Sequence, residues 1–231
     1  MYYLFDIDGT ITPSRQKITK EFKDFFLKWS KDKKVIFITG SDYNKTLEQV
    51  GKEILDTAEK TYCCMGNSCW KNDTEIFKNN WMPKKELIDF LNKKIIESTY
   101  PLKFENHIEQ RTGMVNFSVL GRNCSQEERK KYYNWDKIHK EREKIQSELT
   151  SLFPELNAQI GGEISIDIIP KGLDKSQIAK FFENENVSFF ADKMDSGGND
   201  APLADILRQN SKNKLFPVNS PEETLKILKS L

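Results

Sequence analysis

Apolar residues fall into short runs and spaced stripes that divide the chain into elements. Tyr2-Tyr3-Leu4-Phe5 is a short apolar run ending in Asp6-Ile7-Asp8-Gly9-Thr10, the pattern of a buried strand closed by a turn. Ile18, Phe22, Phe25, Phe26 and Trp29 recur at helical spacing and predict an amphipathic helix over 18–32. A second apolar strand is expected over 34–39, followed by a helix from about Tyr43 to Ala58. This is the βαβ rhythm of a doubly wound sheet. Residues 60–80 read as short strands turning at Gly66-Asn67 and Asn72-Asp73, a hairpin, and Trp81-Met82-Pro83 opens a Lys-rich helix to about Ser98.

Beyond Leu102 the rhythm changes. Strands are expected near 102–108 and 113–119, then one long charged helix, then strands near 157–160 and 163–169 joined by Gly161-Gly162. Ser125 with Glu128 forms a capping box for that helix. Runs of strands with helices on one face indicate an α+β module. The alternating rhythm then returns as a helix over Asp174–Phe182, a strand over Val187–Ala191 and a short helix after Asp200. A strand over Lys214–Val218 and a helix from Pro221 to Leu228 end the series. The organisation expected is an α/β core, 1–80 and 172–231, interrupted by a second module at 81–171.

Composition narrows the chemistry mainly by exclusion. With 231 residues the chain can bury a sizeable core, and its net charge of +1 gives no general attraction to nucleic acid. No apolar run approaches the ~20 residues that cross a bilayer, and the first strand begins beside Met1, so a cytoplasmic protein without nucleic-acid or membrane partners is expected. Cys63, Cys64 and Cys69 cluster without a CxxC pair, Cys124 is distant, and His107 and His139 stand apart, so reduced thiols are expected rather than a zinc site.

The first strand end carries the most chemistry. Residues two apart on a strand share a face, so Asp6 and Asp8 can converge on one phosphoryl group. A carboxylate can attack phosphorus, and it can ligate Mg²⁺, a hard cation suited to oxygen and phosphate. Three further segments follow in order: Thr39-Gly40-Ser41 after the second strand, Lys175 within Asp174–Ala179, and Ala191-Asp192 with Gly197-Gly198-Asn199-Asp200. Together the four resemble the motifs of the haloacid dehalogenase-like phosphotransferases. The resemblance narrows to the eukaryotic-type phosphomannomutases through Asp8, Thr10, Thr12, Arg15 and Ile18, through Gly40-Ser41-Asp42, and through Arg111–Asn116. It continues through Gly121–Arg129, Ile160–Asp167 and Gly172–Lys175, nearly the whole chain.

That resemblance implies a Rossmann-like haloacid dehalogenase core with an inserted α+β cap, and interconversion of mannose 6-phosphate and mannose 1-phosphate. A phosphatase or phosphoglucomutase of the same fold is the alternative. It implies Asp6 as nucleophile, Asp8 as general acid and base, and Lys175 as the group that holds the nucleophile. Mg²⁺ would sit on Asp6, the Asp8 carbonyl and Asp192, with Asn199 and Asp200 beside them or one of the two ligating directly. Thr39 or Ser41 would bond a phosphoryl oxygen. Arg111, Arg122 and Arg129 would take phosphate through bidentate guanidinium forks, Arg15 would reach the substrate from the core, and Ser165 with Asp167 would take the sugar hydroxyls. A hexose 1,6-bisphosphate would be intermediate and activator, and the cap would form a homodimer. Three segments depart from the family pattern: Ala191-Asp192-Lys193-Met194-Asp195-Ser196, Ala201–Asp205 and Met65-Gly66-Asn67. The second of these puts an additional cation site after Asp200 in doubt.

Overall fold

The computed structural model describes residues 1–231. β1 (Tyr2–Phe5) leads through the acidic turn to α1 (Lys20–Trp29), whose first turn is capped by Thr19 Oγ1 accepting from Phe22 N at 3.3 Å. β2 (Lys34–Ile38) follows, then α2 (Tyr43–Val50), capped by Asp42 Oδ1 accepting from Lys45 N. The helix expected to reach Ala58 stops earlier. Gly51 adopts φ +79°, a conformation open to glycine, and the chain restarts as the short α3 (Lys52–Leu55). β3 (Ala58–Cys63) is then followed by β4 (Ser68–Lys71) and β5 (Thr74–Lys78), an antiparallel extension of the sheet.

Residues Asn80–Lys171 form a separate unit. It runs α4 (Lys85–Glu97), β6 (Ile108–Arg111), β7 (Met114–Phe117), α5 (Gln126–His139), α6 (Glu141–Leu152), β8 (Leu156–Gly161) and β9 (Ser165–Pro170). Its four strands are antiparallel in the order β6-β7-β9-β8. One face of that sheet, including Val115, Phe117, Ile166 and Ile168, packs with Leu87, Leu91, Tyr132, Ile145 and Leu149 of the helices. The capping box expected at Ser125 and Glu128 is formed in full.

Two expectations in this unit need correction. Residues 102–107 are not a strand, because Asn106 takes φ +62° and Phe104 N donates to Leu120 O, tying the segment to the loop after β7. His107 lies in this loop, its Nδ1 2.9 Å from the Ser118 carbonyl oxygen. The single long helix is two, broken at Lys140 (φ +57°). The break is held by Asp136, which accepts from Arg142 N at 2.9 Å and from Arg142 Nε at 2.7 Å. Arg142 Nη1 also reaches the carbonyl of Gly162, so one buried ion pair ties the helix break to the β8–β9 turn.

The chain then rejoins its first unit, Met1–Asn79 with Gly172–Leu231. Lys175–Phe182 is a 3-10 segment rather than an α-helix; Asp174 caps it, its Oδ1 accepting from Ser176 N. β10 (Val187–Ala191), α7 (Ala201–Arg208), β11 (Lys214–Pro217) and α8 (Pro221–Leu228) complete the unit. Its seven strands lie in the order β11-β10-β1-β2-β3-β4-β5, parallel from β11 to β3. Both faces of the central strands β1, β2 and β10 are covered. Leu4, Ile36 and Phe189 pack with Leu203 and Leu207 of α7, while Phe5 meets Phe26 of α1 at 5.3 Å and Phe190 at 4.8 Å. That explains the unbroken apolar runs of these strands. The chain leaves β1 toward β2 on one side and returns through β10 on the other, so the strand order reverses between β1 and β10. Ligands of open α/β sheets bind outside the strand ends at such a reversal. No helix is long and apolar enough to cross a membrane.

Arg142→Met should lower the unfolding free energy by about 3 kcal/mol, since it leaves the Asp136 carboxylate buried without its ionic partner. Urea titration of the full chain followed by tryptophan fluorescence measures this. A loss well under ~1 kcal/mol would mean the ion pair does not hold the break.

Candidate active site

The ends of β1 and β10 deliver Asp6 and Asp192, and the turn before α7 delivers Asp200. The three can bring one carboxylate oxygen each within 4.8 Å of one another. Lys175, at the start of the 3-10 segment, is fully buried among them, its Nζ 2.6 Å from both Asp6 Oδ1 and Asp200 Oδ1. Asp6 Oδ2 accepts from Thr10 Oγ1 at 3.4 Å, and Asp200 Oδ2 from Lys193 N at 3.3 Å. Gly9 makes room for this cluster. Its φ is +81°, and a Cβ there would lie 2.5 Å from Asp192 Oδ2.

Asp8 is not one of those three carboxylates. Its Oδ1 accepts from Arg15 N at 2.6 Å and from Gln49 Nε2 at 2.9 Å. Gln49 is buried on α2 and also donates to Thr12 Oγ1. Arg15, half-buried, thus meets Asp8 through its backbone, at a residue with φ +58°. At the end of β2, Thr39 is buried, and its Oγ1 accepts from Ser41 N at 3.1 Å. Ser41 is half-buried. The next turn, Cys64 to Gly66, has positive φ throughout and is tied to this end by Met65 N donating to the Thr39 carbonyl. Gln177 Nε2 donates to the Met65 carbonyl, and so links that turn to the segment bearing Lys175.

Charge governs the cluster. Burial pushes the Asp6 carboxyl well above the usual carboxylate range; Lys175 opposes this, and Asp200 and Asp192 add to it. Burial also raises Asp192, against the pull of Lys193, whose Nζ is 2.8 Å away. Burial works against the charge of Lys175, but Asp200 and Asp6 outweigh it and hold the ammonium charged. Three carboxylates of hard oxygen donors, in excess of the ammonium buried among them, fit a divalent cation such as Mg²⁺.

In the second unit the face of the sheet opposite the helices is polar. Strand register places Glu109 of β6, Asn116 of β7, Asp167 of β9 and Gln159 of β8 in one row. Asn116 Nδ2 donates to Asp167 Oδ1 at 2.5 Å. Arg122, from the loop after β7, bonds through Nη1 to Asn116 Oδ1 and, at 3.0 Å, to Ser165 Oγ. Glu109 Oε2 receives Arg111 Nη2 at 2.9 Å and Arg122 Nε at 2.5 Å. Arg111, Arg122, Ser165 and Asp167 are therefore gathered on one surface. Arg129 lies buried in the first turns of α5.

A model of the eukaryotic phosphomannomutase family matches residues 22–231. The chain belongs to that family. Among similar relatives, the phosphomannomutase of Dendrobium officinale is 37% identical over 230 residues, covering 96% of this chain and 90% of its own. That of Spinacia oleracea is 36% identical over 232 residues, covering 96% and 92%. That of Arabidopsis thaliana is 36% identical over 239 residues, covering 99% and 95%. The phosphomannomutase family model thus begins after β1, whereas these alignments reach over nearly the whole chain. Solved structures agree in fold at low identity. The C-terminal domain of Candida albicans trehalose-6-phosphate phosphatase superposes with TM-score 0.66 at 14% identity, over 99% of this chain and 90% of that one. A haloacid dehalogenase-like hydrolase from Bacteroides thetaiotaomicron gives 0.61 at 11%, over 99% and 98%. The fold is haloacid dehalogenase-like.

Two residues of these surfaces were not singled out by the sequence. Gln49 sits on an amphipathic helix whose buried face reads as ordinary packing. Glu109 offered one cue, its spacing of two from Arg111 on a strand, which puts both on one face.

Gly9→Ala should displace Asp192 and strain the turn, costing about 1–3 kcal/mol. Melting curves with and without Mg²⁺ check this. The wild type should gain melting temperature with the ion and the variant should gain little; an equal gain in both would mean Asp192 holds no cation.

Proposed function

We propose that this protein is a phosphomannomutase, interconverting mannose 6-phosphate and mannose 1-phosphate through an aspartyl-phosphate and a hexose 1,6-bisphosphate. One observation carries the reading: a buried Asp6–Lys175–Asp200 cluster at the strand-order reversal, in a chain whose second unit carries paired arginines on a polar sheet face. Membership of the family supports the substrate class.

An Asp6 oxygen bonds to phosphorus as the bond from phosphorus to the sugar oxygen breaks, and Asp8 gives that oxygen its proton. Lys175 holds Asp6 in place and offsets charge on the transferring group. The carboxylates of Asp6 and Asp192 with the Asp8 carbonyl would hold Mg²⁺, with Asp200 beside them; the ion supplies counter-charge for a phosphate meeting a carboxylate. Ser41, the more exposed of the two hydroxyl residues after β2, takes a phosphoryl oxygen, while Thr39 shapes that turn. Arg111 and Arg122, with Arg129 and with Arg15 from the first unit, hold the phosphate at the other end of the sugar. Ser165 and Asp167 take sugar hydroxyls. Two phosphate sites distinguish a mutase, since the bisphosphate must offer either end to Asp6.

The second unit acts as a cap in this reading, excluding water from the acyl phosphate. A homodimer through it belongs to the same proposal, supported by exposed Ile96, Ile138 and Leu152 on its helices. A cytoplasmic setting and priming by hexose 1,6-bisphosphate complete the reading.

³¹P NMR of the protein with Mg²⁺, mannose 1-phosphate and a trace of hexose 1,6-bisphosphate tests it. Mannose 6-phosphate should grow in a bisphosphate-dependent manner; inorganic phosphate alone would make the protein a phosphatase. Asp6→Asn should abolish turnover with its melting temperature retained, and surviving activity would remove Asp6 as nucleophile.

A further inference from the structure

Glu109 is an acidic side chain on the surface where the proposed function seats a phosphate. Its Oε2 accepts from Arg111 Nη2 at 2.9 Å and pairs ionically with Arg122 Nε at 2.5 Å. The two guanidiniums come from different elements, β6 and the loop after β7, and their like charges repel. Both are about nine-tenths buried, while Glu109 is 28% exposed. Asn116 and Ser165 hold Nη1 of the Arg122 fork. A carboxylate at the meeting point therefore does two things. It brings two repelling cations together before any ligand arrives, and it lowers by one the positive charge that a phosphate meets.

We propose that Glu109 is a positioning residue that sets how firmly this arginine pair grips a phosphate, keeping it weak enough for a bisphosphate to let go. The inference rests on the mutase reading. A mutase that cannot release the far phosphate cannot present the other end of the sugar to Asp6, so in this chemistry excess affinity is a fault. A phosphate site that needed only strength would carry no carboxylate between its arginines.

Geometry and charge can be separated, because Glu109 meets both guanidiniums through Oε2, by a hydrogen bond to Arg111 Nη2 and an ion-pair contact with Arg122 Nε. In Glu109→Gln the amide oxygen can stand where Oε2 stands and accept from both guanidiniums, while the negative charge is gone. Removing one negative charge beside a doubly charged ligand should tighten mannose 1-phosphate binding roughly tenfold at low, fixed ionic strength. KM should fall and kcat should fall with it, a split that simple loss of structure does not produce. Glu109→Ala removes the shared acceptor as well and should bind more weakly than Glu109→Gln.

Calorimetric titration of wild type and both variants with mannose 1-phosphate, beside steady-state kinetics and melting curves, reads all of this. Tighter binding with lower kcat in Glu109→Gln is the expected result. Unchanged or weaker binding in that variant, in a wild type that binds and turns over the sugar phosphate, overturns the role of Glu109 and leaves the mutase reading standing. A wild type that neither binds nor isomerises mannose 1-phosphate overturns the mutase reading and this inference with it. Should Glu109→Ala fail to fold, the comparison of Glu109→Gln with wild type still decides.

Discussion

The first unit is organised around a buried ammonium. Lys175 lies in a 3-10 segment, yet it bonds to a carboxylate from the end of β1 and another from the turn before α7. Burying a lysine is costly unless its charge is met at close range, and here two carboxylates meet it. The contacts join segments that are distant in sequence, so the strand order of the sheet and the chemistry at its edge are one constraint. The acidic side still exceeds the buried basic one, which is why a hard cation fits there; burial first, and then the neighbouring carboxylates, make Asp6 resist ionisation.

The two units build polar surface in different ways. In the first, the central strands β1, β2 and β10 are apolar and covered on both faces, so polar groups collect at the strand ends. In the second, one face packs on helices and the other stays polar, because alternate residues of β7 and β9 point opposite ways. Val115 and Phe117 enter the core while Asn116 between them faces the arginines. The one-residue register that buries the apolar set is what aligns Glu109, Asn116, Asp167 and Gln159.

Much of this was legible from residue patterns. The apolar runs at Tyr2–Phe5, Val35–Ile38 and Val187–Ala191 are buried on both sides and read as strands, and Ser125 with Glu128 marked a helix start that is present. The misreadings share a cause. Lys140 and Asn106 are non-glycine residues with positive φ, and local composition does not announce them; the break at Lys140 is stabilised by Arg142 reaching Asp136, a tertiary bond. Gly51 was a visible cue that the run of apolar spacing on either side masked. At the site, Asp6, Lys175, Asp192 and Asp200 were expected together and lie together. The orientation of Asp8 toward Arg15 and Gln49 was not legible, since it depends on a residue 41 positions away.

The first unit is split in sequence and the second is not, which sets an order on assembly during synthesis. Asp6 precedes the second unit in the chain, whereas Lys175, Asp192 and Asp200 follow it. Between them the whole of Asn80–Lys171 emerges, a continuous segment whose sheet needs no strand from elsewhere. β1 meanwhile has one neighbour in β2 and an open edge where β10 belongs. A chain interrupted within the second unit thus carries Asp6 without the ammonium that steadies it, and the cluster is assembled only once the chain has continued past Asp200.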